Sequence, residues 1–306
     1  MTAVSIYRVA KRAAERGLLL VGVAAVGRRV RRSDTLILAY HNVLPDHVGI
    51  AGDASLHLPV REFRRQLDTL TRTHDVVPLE TVASGSPSNR RVRAVITFDD
   101  AYLGALTVAI PELVRRGLPA TIFVAPGLLG RHPWWDVLAD PAVGTVPSAI
   151  RERALTEYRG DTSAVLRYLS PARAPQISSE LRIGTEEELI SATKHPGITV
   201  GSHTWSHVNL QAVSEDAVER EMRSSADWLR TRVNAFRPWL SYPYGLFDPR
   251  AERLAAAAGF VGALRVEGGW IGSLRKPSAY AMPRYNVPSG LSVDGFRLRL
   301  GGFGAS

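Results

Sequence analysis

The chain has 306 residues, a net charge of +9 and no cysteine, and its length suffices for one large domain with a full hydrophobic core. The lack of cysteine excludes disulfide bonds and thiolate metal ligands. Eight basic side chains and one acid lie in residues 1–32, so this part carries +7, and the nearly neutral remainder is not expected to bind nucleic acid.

The N-terminal arm, residues 1–33, carries these charges and also contains the uncharged run 17–27. A run this short cannot cross a bilayer, because a spanning helix needs about 20 apolar residues. The basic cluster 28–32 follows at once, and no clean signal-peptide cleavage site is visible. We expect the arm either to lie on an anionic membrane surface or to pack as a helix over the bottom of the domain. We therefore expect a bacterial protein that is located in the cell envelope, associated with a membrane or cytoplasmic, rather than one that is cleaved and secreted.

Apolar strands alternate with amphipathic helices along most of the chain. The predicted strands are 35–40, 75–79, 93–98, 119–124, 198–201, 236–242, 260–265 and 281–287. Predicted helices include 60–72 and 214–231, and a capping box opens another at Thr185–Glu188. Seven or eight such units predict an α/β fold, a single irregular (β/α)7-8 barrel over residues 34–290, followed by a C-terminal tail or helix at 291–306.

Residues 131–180 interrupt this alternation with a polar insertion rich in proline and alanine. Trp134 and Trp135 lie near its start. Flat aromatic faces can stack on a ligand, so both are candidate substrate-binding residues at the mouth of the barrel. The alternative is that they only fasten the insertion to the barrel.

Two carboxylates, Asp99 and Asp100, directly follow the predicted strand 93–98. They therefore lie at the carboxyl edge of a parallel sheet, where ligands bind and chemistry occurs in such folds. Either residue could instead cap the next helix.

Two histidines, His203 and His207, follow the predicted strand 198–201 and are four residues apart. If this segment is helical, both imidazoles project from one face. With Asp100 as a third ligand, the set suits a divalent metal ion, most readily zinc, in a hydrolytic site. Taken alone, the spacing is also typical of two partly exposed histidines.

A third motif, Tyr-Pro-Tyr-Gly at 242–245, ends the predicted strand 236–242 and precedes a helix start at Asp248-Pro249. This position predicts a turn at the same barrel mouth. A plain turn with aromatic packing is the alternative.

The motifs TFDD, HTWSH and YPYG, in this order, resemble those of the NodB-type polysaccharide deacetylases, carbohydrate esterase family 4. The motifs of that family are TFDD followed by Gly, H[ST]xxH and RxPY. The resemblance covers about residues 35–290, and the segments 38–43 and 282–287 resemble its exopolysaccharide and poly-N-acetylglucosamine deacetylase branch. It implies a metal-dependent hydrolase that removes N-acetyl groups from an envelope or extracellular polysaccharide and releases acetate.

The resemblance also implies a role for each motif residue. The metal ligands would be Asp100, His203 and His207. Asp99 would be the general base, which accepts a proton from the attacking water. The backbone N–H of Tyr244 would stabilise the oxyanion, with Pro243 holding the turn against the substrate.

Two motif positions depart from the family pattern. Ala101 replaces the usual Gly after TFDD, which we expect to alter only a turn. Ser241 stands where the family has an arginine that orients the base. Arg237 and Arg284 are candidates to replace that arginine, and we favour Arg284 because it lies in a strand-like segment.

The late Leu-x-His motif of the family is also missing, because no histidine follows His207. An amine leaving group needs an acid that can donate a proton near neutral pH. His41 ends the predicted strand 35–40 at the same mouth, and in the branch that this chain resembles the N-terminal Tyr-His motif serves this role. We therefore assign His41 as the acid, against a purely structural role. An O-acetyl carbohydrate esterase and a non-catalytic carbohydrate-binding descendant are the alternative functions.

Overall fold

The computed structural model describes residues 3–84, 91–170, 177–272 and 277–303. The first two residues of the arm, six residues of the predicted insertion (171–176) and the last three of the C-terminal segment thus lie outside the described residues.

Strands and helices alternate as the sequence predicts. The strands are β1 (Thr35–Tyr40), β2 (Asn42–Leu44), β3 (His57–Pro59), β4 (His74–Val76), β5 (Val92–Phe98), β6 (Ala120–Val124), β7 (Ile198–Ser202), β8 (Phe236–Ser241), β9 (Gly262–Arg265), β10 (Trp270–Ile271), β11 (Met282–Pro283) and β12 (Tyr285–Asn286). The helices are α1 (Ala3–Leu20), α2 (Val23–Val30), α3 (Val60–Thr73), α4 (Glu80–Ser84), α5 (Ile110–Arg115), α6 (Trp134–Val137), α7 (Ser148–Thr156), α8 (Thr162–Leu169), α9 (Glu186–Ala192), α10 (Glu215–Arg232), α11 (Pro249–Ala257) and α12 (Val293–Arg299). A π-helical turn, Ala105–Ala109, leads directly into α5.

The main sheet is a nearly closed barrel with the strand order β10-β1-β5-β6-β7-β8-β9-β11. All neighbours in this order are parallel except β10, which runs antiparallel to β1. The closing segment, residues 282–286, pairs with β9 through β11 and with β1 through β12. This arrangement confirms the predicted single irregular barrel.

The interior of the barrel is filled by apolar side chains from successive strands. They form one buried cluster that includes Ile37, Val95, Phe123, Trp239, Leu264 and Met282. Gly201 on β7 leaves room for two of its larger members, because a Cβ there would lie 2.5 Å from the ring of Phe123 and 2.9 Å from the carbonyl oxygen of Trp239.

One predicted strand, 75–79, is shorter than expected and is not part of the barrel path. Its observed counterpart β4 pairs only with the first residues of β5, Val92–Ala94. Pro78 explains the early end, because proline has no N–H to continue the ladder.

The arm and the C-terminal helix pack together on one flank. Helix α1 lies along α12, and α2 leads to the start of β1. The α2 residue Gly27 lies so close to Gly301 that a Cβ would overlap the carbonyl oxygen of Gly301. None of the helices among the described residues is long and apolar enough to cross a membrane.

Candidate active site and metal centre

A cavity of about 210 Å³ opens at the carboxyl ends of the barrel strands. Its polar groups continue the inward-facing rows of the barrel interior, because every second residue of a strand faces the same side. Asp99 stands four positions beyond Val95, and His203 two beyond Gly201. The same spacing brings these side chains to the site: His41, Ser241, Arg284 and Asn286.

Asp99 and Arg284 form a buried, bidentate ion pair. Both terminal guanidinium nitrogens donate to Asp99, one to each carboxylate oxygen at 2.7 Å, and Arg284 is fully buried. The same guanidinium donates to Ser241 Oγ at 2.7 Å. Ser241, at the family's arginine position, therefore leaves room for an arginine of the closing segment that reaches Asp99 instead.

The other candidate arginine, Arg237, lies away from the site. Its side chain is about half exposed, and its nearest acid is Glu80 at 3.9 Å. Of the two arginines considered from sequence, the structure brings only Arg284 to Asp99.

The ion pair sets the charge of Asp99. Burial alone would raise the pKa of this carboxyl group, but the charge and the hydrogen bonds of Arg284 oppose burial and hold the pKa well below its ordinary value. Asp99 is therefore ionised throughout the neutral pH range.

Asp100, His203 and His207 bring three metal-ligating atoms together in buried surroundings, all within 4.8 Å of one another. The Nε2 atoms of the two imidazoles lie 3.1 Å apart, and Asp100 Oδ1 lies 3.2 Å from His207 Nε2 and 3.7 Å from His203 Nε2. Asp100 Oδ1 is buried without a hydrogen-bond partner. A buried carboxylate oxygen in this position, facing two imidazoles, fits a divalent cation, and the donor set is typical of hydrolytic zinc.

The segment that carries the two histidines is a loop, so the helical turn considered from sequence does not occur. Thr204 and His207 have φ of 63° and 60°, in the left-handed region. The carboxylate of Glu221 on α10 accepts the backbone N–H groups of Trp205 and Ser206. These contacts turn the chain back on itself, which brings the two imidazoles together without a helix.

Each imidazole has its own support. The Nδ1–H of His203 donates to the carbonyl of Ser241 at 2.7 Å, which leaves Nε2 free as a ligand. Burial lowers the pKa of His203 to about 4, so the ring is neutral at pH 7. The ring of His207 packs against Trp135 and Tyr244, with centroid distances of 4.7 and 4.5 Å.

Left-handed backbone conformations are concentrated in this site. Six non-glycine residues among those described have φ near +60°, and five of them belong to the three motifs: Asp100, Ala101, Thr204, His207 and Tyr244. Each such residue costs about 1–2 kcal/mol relative to an ordinary conformation. Ala101 keeps the turn that the family's glycine would favour. This concentration of strain is typical of a functional centre.

Tyr244 joins the barrel to the insertion. Its ring lines the cavity, and its hydroxyl accepts the indole N–H of Trp134 at 2.9 Å and donates to the carbonyl of Gly160 at 3.3 Å. Gly160 has φ of 76°, and a Cβ there would lie 2.9 Å from the tyrosine ring. Pro243 is buried and is not among the residues that line the cavity.

The two tryptophans fasten the insertion to the barrel. Trp134 is fully buried, so it has no face free to stack on a sugar, and its predicted substrate-binding role is not supported by its position. Trp135 donates its indole N–H to the hydroxyl of Tyr102 at 2.7 Å and also borders the cavity. Trp135 is thus placed both to fasten the insertion and to face a ligand in the cavity. Trp134 is placed only to fasten the insertion.

His41 follows β1 directly and lines the cavity together with Asp99 and Asp100. It is partly exposed, unlike His57, which donates to Asp136 in a fully buried network. A partly exposed imidazole on the cavity wall is accessible to a substrate.

Four polar residues of the cavity wall were not predicted from sequence: Asp53, Ser55, Arg151 and Asn286. Arg151 on α7 donates to Asp53 at 2.7 Å across 98 positions of sequence. Nothing in the sequence links these two residues. Asn286 could have been found, because it lies two positions beyond Arg284 in the same strand-like segment.

Comparisons with known proteins agree with this geometry. The sequence profile of the family described as "Polysaccharide deacetylase" matches residues 87–263, more than half of the chain. YxkH of Bacillus subtilis (strain 168), a protein named for the same family, is 24% identical over 266 residues, which are 85% of this chain and 74% of that protein.

Solved structures share the fold. IcaB from Ammonifex degensii has a TM-score of 0.61 at 19% identity, over 89% of this chain and 98% of that one. A de-N-acetylase from Aggregatibacter actinomycetemcomitans has a TM-score of 0.59 at 13% identity, over 86% of this chain and 98% of that one. These likenesses support the barrel architecture.

Proposed function

Since this chain belongs to the polysaccharide deacetylase family, we propose that it removes N-acetyl groups from amino sugars of a polysaccharide with the help of a divalent metal ion, most readily zinc. Family membership makes the protein a polysaccharide deacetylase. The observation that carries the finer proposal is the convergence of Asp100, His203 and His207 beside an ionised Asp99.

We assign one group of this chain to each step of amide hydrolysis. Asp100, His203 and His207 would hold a divalent ion, which would supply the Lewis acidity for hydrolysis by water near neutral pH. Asp99 accepts the proton of the attacking water. The backbone N–H of Tyr244 donates to the oxygen that gains charge. His41 donates a proton to the nitrogen as the C–N bond breaks, so acetate and a free amine leave.

The volume of the cavity suits one acetylated sugar unit of a longer polysaccharide chain. The cavity is smaller than the roughly 300–1,000 Å³ typical of pockets that enclose a whole ligand, so it fits an acetyl group and part of one ring. A groove of about 570 Å³ shares Val266 and Asn286 with the cavity and provides space for neighbouring sugars.

Acetate release tests this proposal. We expect protein reconstituted with zinc to release acetate from an N-acetylglucosamine oligomer, and chelator-treated protein to lose that activity until metal is restored. Acetate release that continues at the same rate after chelator treatment would contradict the metal site. A protein inert on both N-acetylated and O-acetylated substrates would favour the non-catalytic carbohydrate-binding alternative.

The lack of any histidine after His207 favours an O-acetyl esterase as the second candidate, because an ester needs less help from an acid. Replacing His41 with alanine separates the two. We expect His41→Ala to lower kcat for the N-acetylated oligomer by about 10²- to 10⁴-fold and to affect an activated acetyl ester much less.

His47→Ala is the matched control, because this histidine is exposed and lies outside the cavity. It should leave both reactions unchanged. Equal losses on the amide and the ester in His41→Ala would remove His41 from the acid role.

A further inference from the structure

The N-terminal arm is fixed to the body of the protein as a helical hairpin. Glu15 on α1 accepts a hydrogen bond from the hydroxyl of Ser292, at the start of α12. Gly27 on α2 lies against Gly301, as described above. The arm therefore presents one defined outer surface to its surroundings.

That outer surface is cationic. Glu15, the one acid of the arm, is only 8% exposed and faces α12. Arg12, Arg16 and Arg29 are exposed, and neither Arg12 nor Arg16 forms an ion pair within the described part of the chain. Because this acid is turned inward, it does not offset the charge of these arginines at the surface of the arm.

The same surface is also unusually apolar. Eleven large hydrophobic side chains are exposed among the described residues, and six of them lie in the arm: Val9, Leu18, Leu20, Val21, Val26 and Val30. Leu20 and Val21, between α1 and α2, are 82% and 74% exposed. Packing inside the chain does not explain these side chains, and clustered exposed apolar groups mark an interaction surface.

We propose that the arm docks the enzyme on the surface of an anionic lipid bilayer. Arginines that contact lipid phosphates and aliphatic side chains that enter the acyl boundary are the combination that such a surface binds. A nucleic acid would match the charge but would not bury the aliphatic side chains. Of the two roles of the arm considered from sequence, membrane docking is the one that accounts for both its positive charge and its exposed apolar side chains.

A groove beside the arm provides room for lipid headgroups. It has a volume of about 710 Å³ and lies between α1, the start of α3 and residues 289–294. Four arginines outnumber the two acids in its wall: Arg12, Arg16, Arg61 and Arg65.

This groove is close to the catalytic cavity. Ser289 in its wall donates its backbone N–H to the carbonyl of Ser55, and Ser55 lines the cavity. A protein docked through the arm therefore holds the rim of its cavity near the bilayer, where an envelope glycan would be within reach.

Flotation of the full chain with lipid vesicles tests the proposal. We expect binding to vesicles that contain phosphatidylglycerol, at least tenfold weaker binding to phosphatidylcholine vesicles, and release at high salt. The double variant Leu20→Glu/Val21→Glu and the double variant Arg12→Gln/Arg16→Gln should each weaken binding about tenfold or more. The first variant places two acids among the exposed apolar side chains, and the second removes two positive charges from the arm.

The control makes the same change at two exposed valines outside the arm, Val143→Glu/Val261→Glu, which are 71% and 50% exposed. It should bind vesicles like the wild type, and all variants should keep activity on a soluble oligomer. Equal binding to both kinds of vesicle, or equal loss in the control, would overturn the proposal. A dimer that Leu20→Glu/Val21→Glu dissociates, with no vesicle binding, would assign the surface to a second copy of the chain instead.

Discussion

Replacing Asp99 with asparagine is expected to lower turnover of an acetylated oligosaccharide by about 10²- to 10⁴-fold while the protein keeps its metal. The side chain retains its shape, but an amide cannot accept a proton from water. Asp100→Asn should behave differently and lose metal, because Asp100 faces the two imidazoles and would contribute the negative charge for the proposed divalent ion. Metal content measured after dialysis, together with kcat, separates the two variants.

Asp227→Asn is a suitable control, because this helical carboxylate is 72% exposed and remote from the cavity. This variant should change neither the metal content nor kcat. Loss of metal from Asp99→Asn with retention in Asp100→Asn would reverse the roles assigned to the two aspartates. Thermal unfolding should accompany the kinetics, because Arg284 loses its charged partner in the first variant.

Of the substitutions considered, Arg284→Met should lower the free energy of unfolding most, by about 3–5 kcal/mol, because it leaves the Asp99 carboxylate buried without its ion-pair partner. Urea unfolding at neutral pH measures this loss. Arg237→Met is the matched control, and its half-exposed side chain predicts an effect below about 1 kcal/mol. A small loss in Arg284→Met would contradict the importance of the buried pair.

The pH dependence of this loss has a definite sign. In the wild type the pKa of Asp99 lies below its unfolded value, so the ionised carboxylate adds stability at neutral pH that is lost only in strong acid. Without Arg284, burial raises that pKa, and Asp99 becomes destabilising when ionised. The difference in unfolding free energy between the variant and the wild type should therefore be largest near neutral pH and become smaller as acid protonates Asp99. The acid limb of kcat/KM should move to higher pH in the variant.

Short motifs at strand ends were the part of the site that sequence could predict. Asp99 and Asp100 follow an apolar strand, and parallel strands carry their carboxyl ends to one edge, so their place at the mouth followed from local pattern alone. Arg284 could be favoured over Arg237 for a similar reason, because the segment around it looked like a strand.

Features set by tertiary contacts could not be predicted in this way. The loop form of the segment that carries His203 and His207 depends on Glu221, which lies on a later helix. The burial of Trp134 depends on how the insertion folds over the barrel. The contact between Asp53 and Arg151 joins distant segments of the chain, and no periodicity connects them.

The position of Arg284 links activity to the completion of folding. It lies between β11 and β12, the two short strands that join β9 to β1, and every other barrel strand precedes it in the chain. During synthesis, Asp99 emerges long before its arginine, and the pair forms only when this segment enters the gap in the sheet. In a barrel that is still open, Asp99 thus lacks the arginine that lowers its pKa, so we expect full activity only after the sheet has closed.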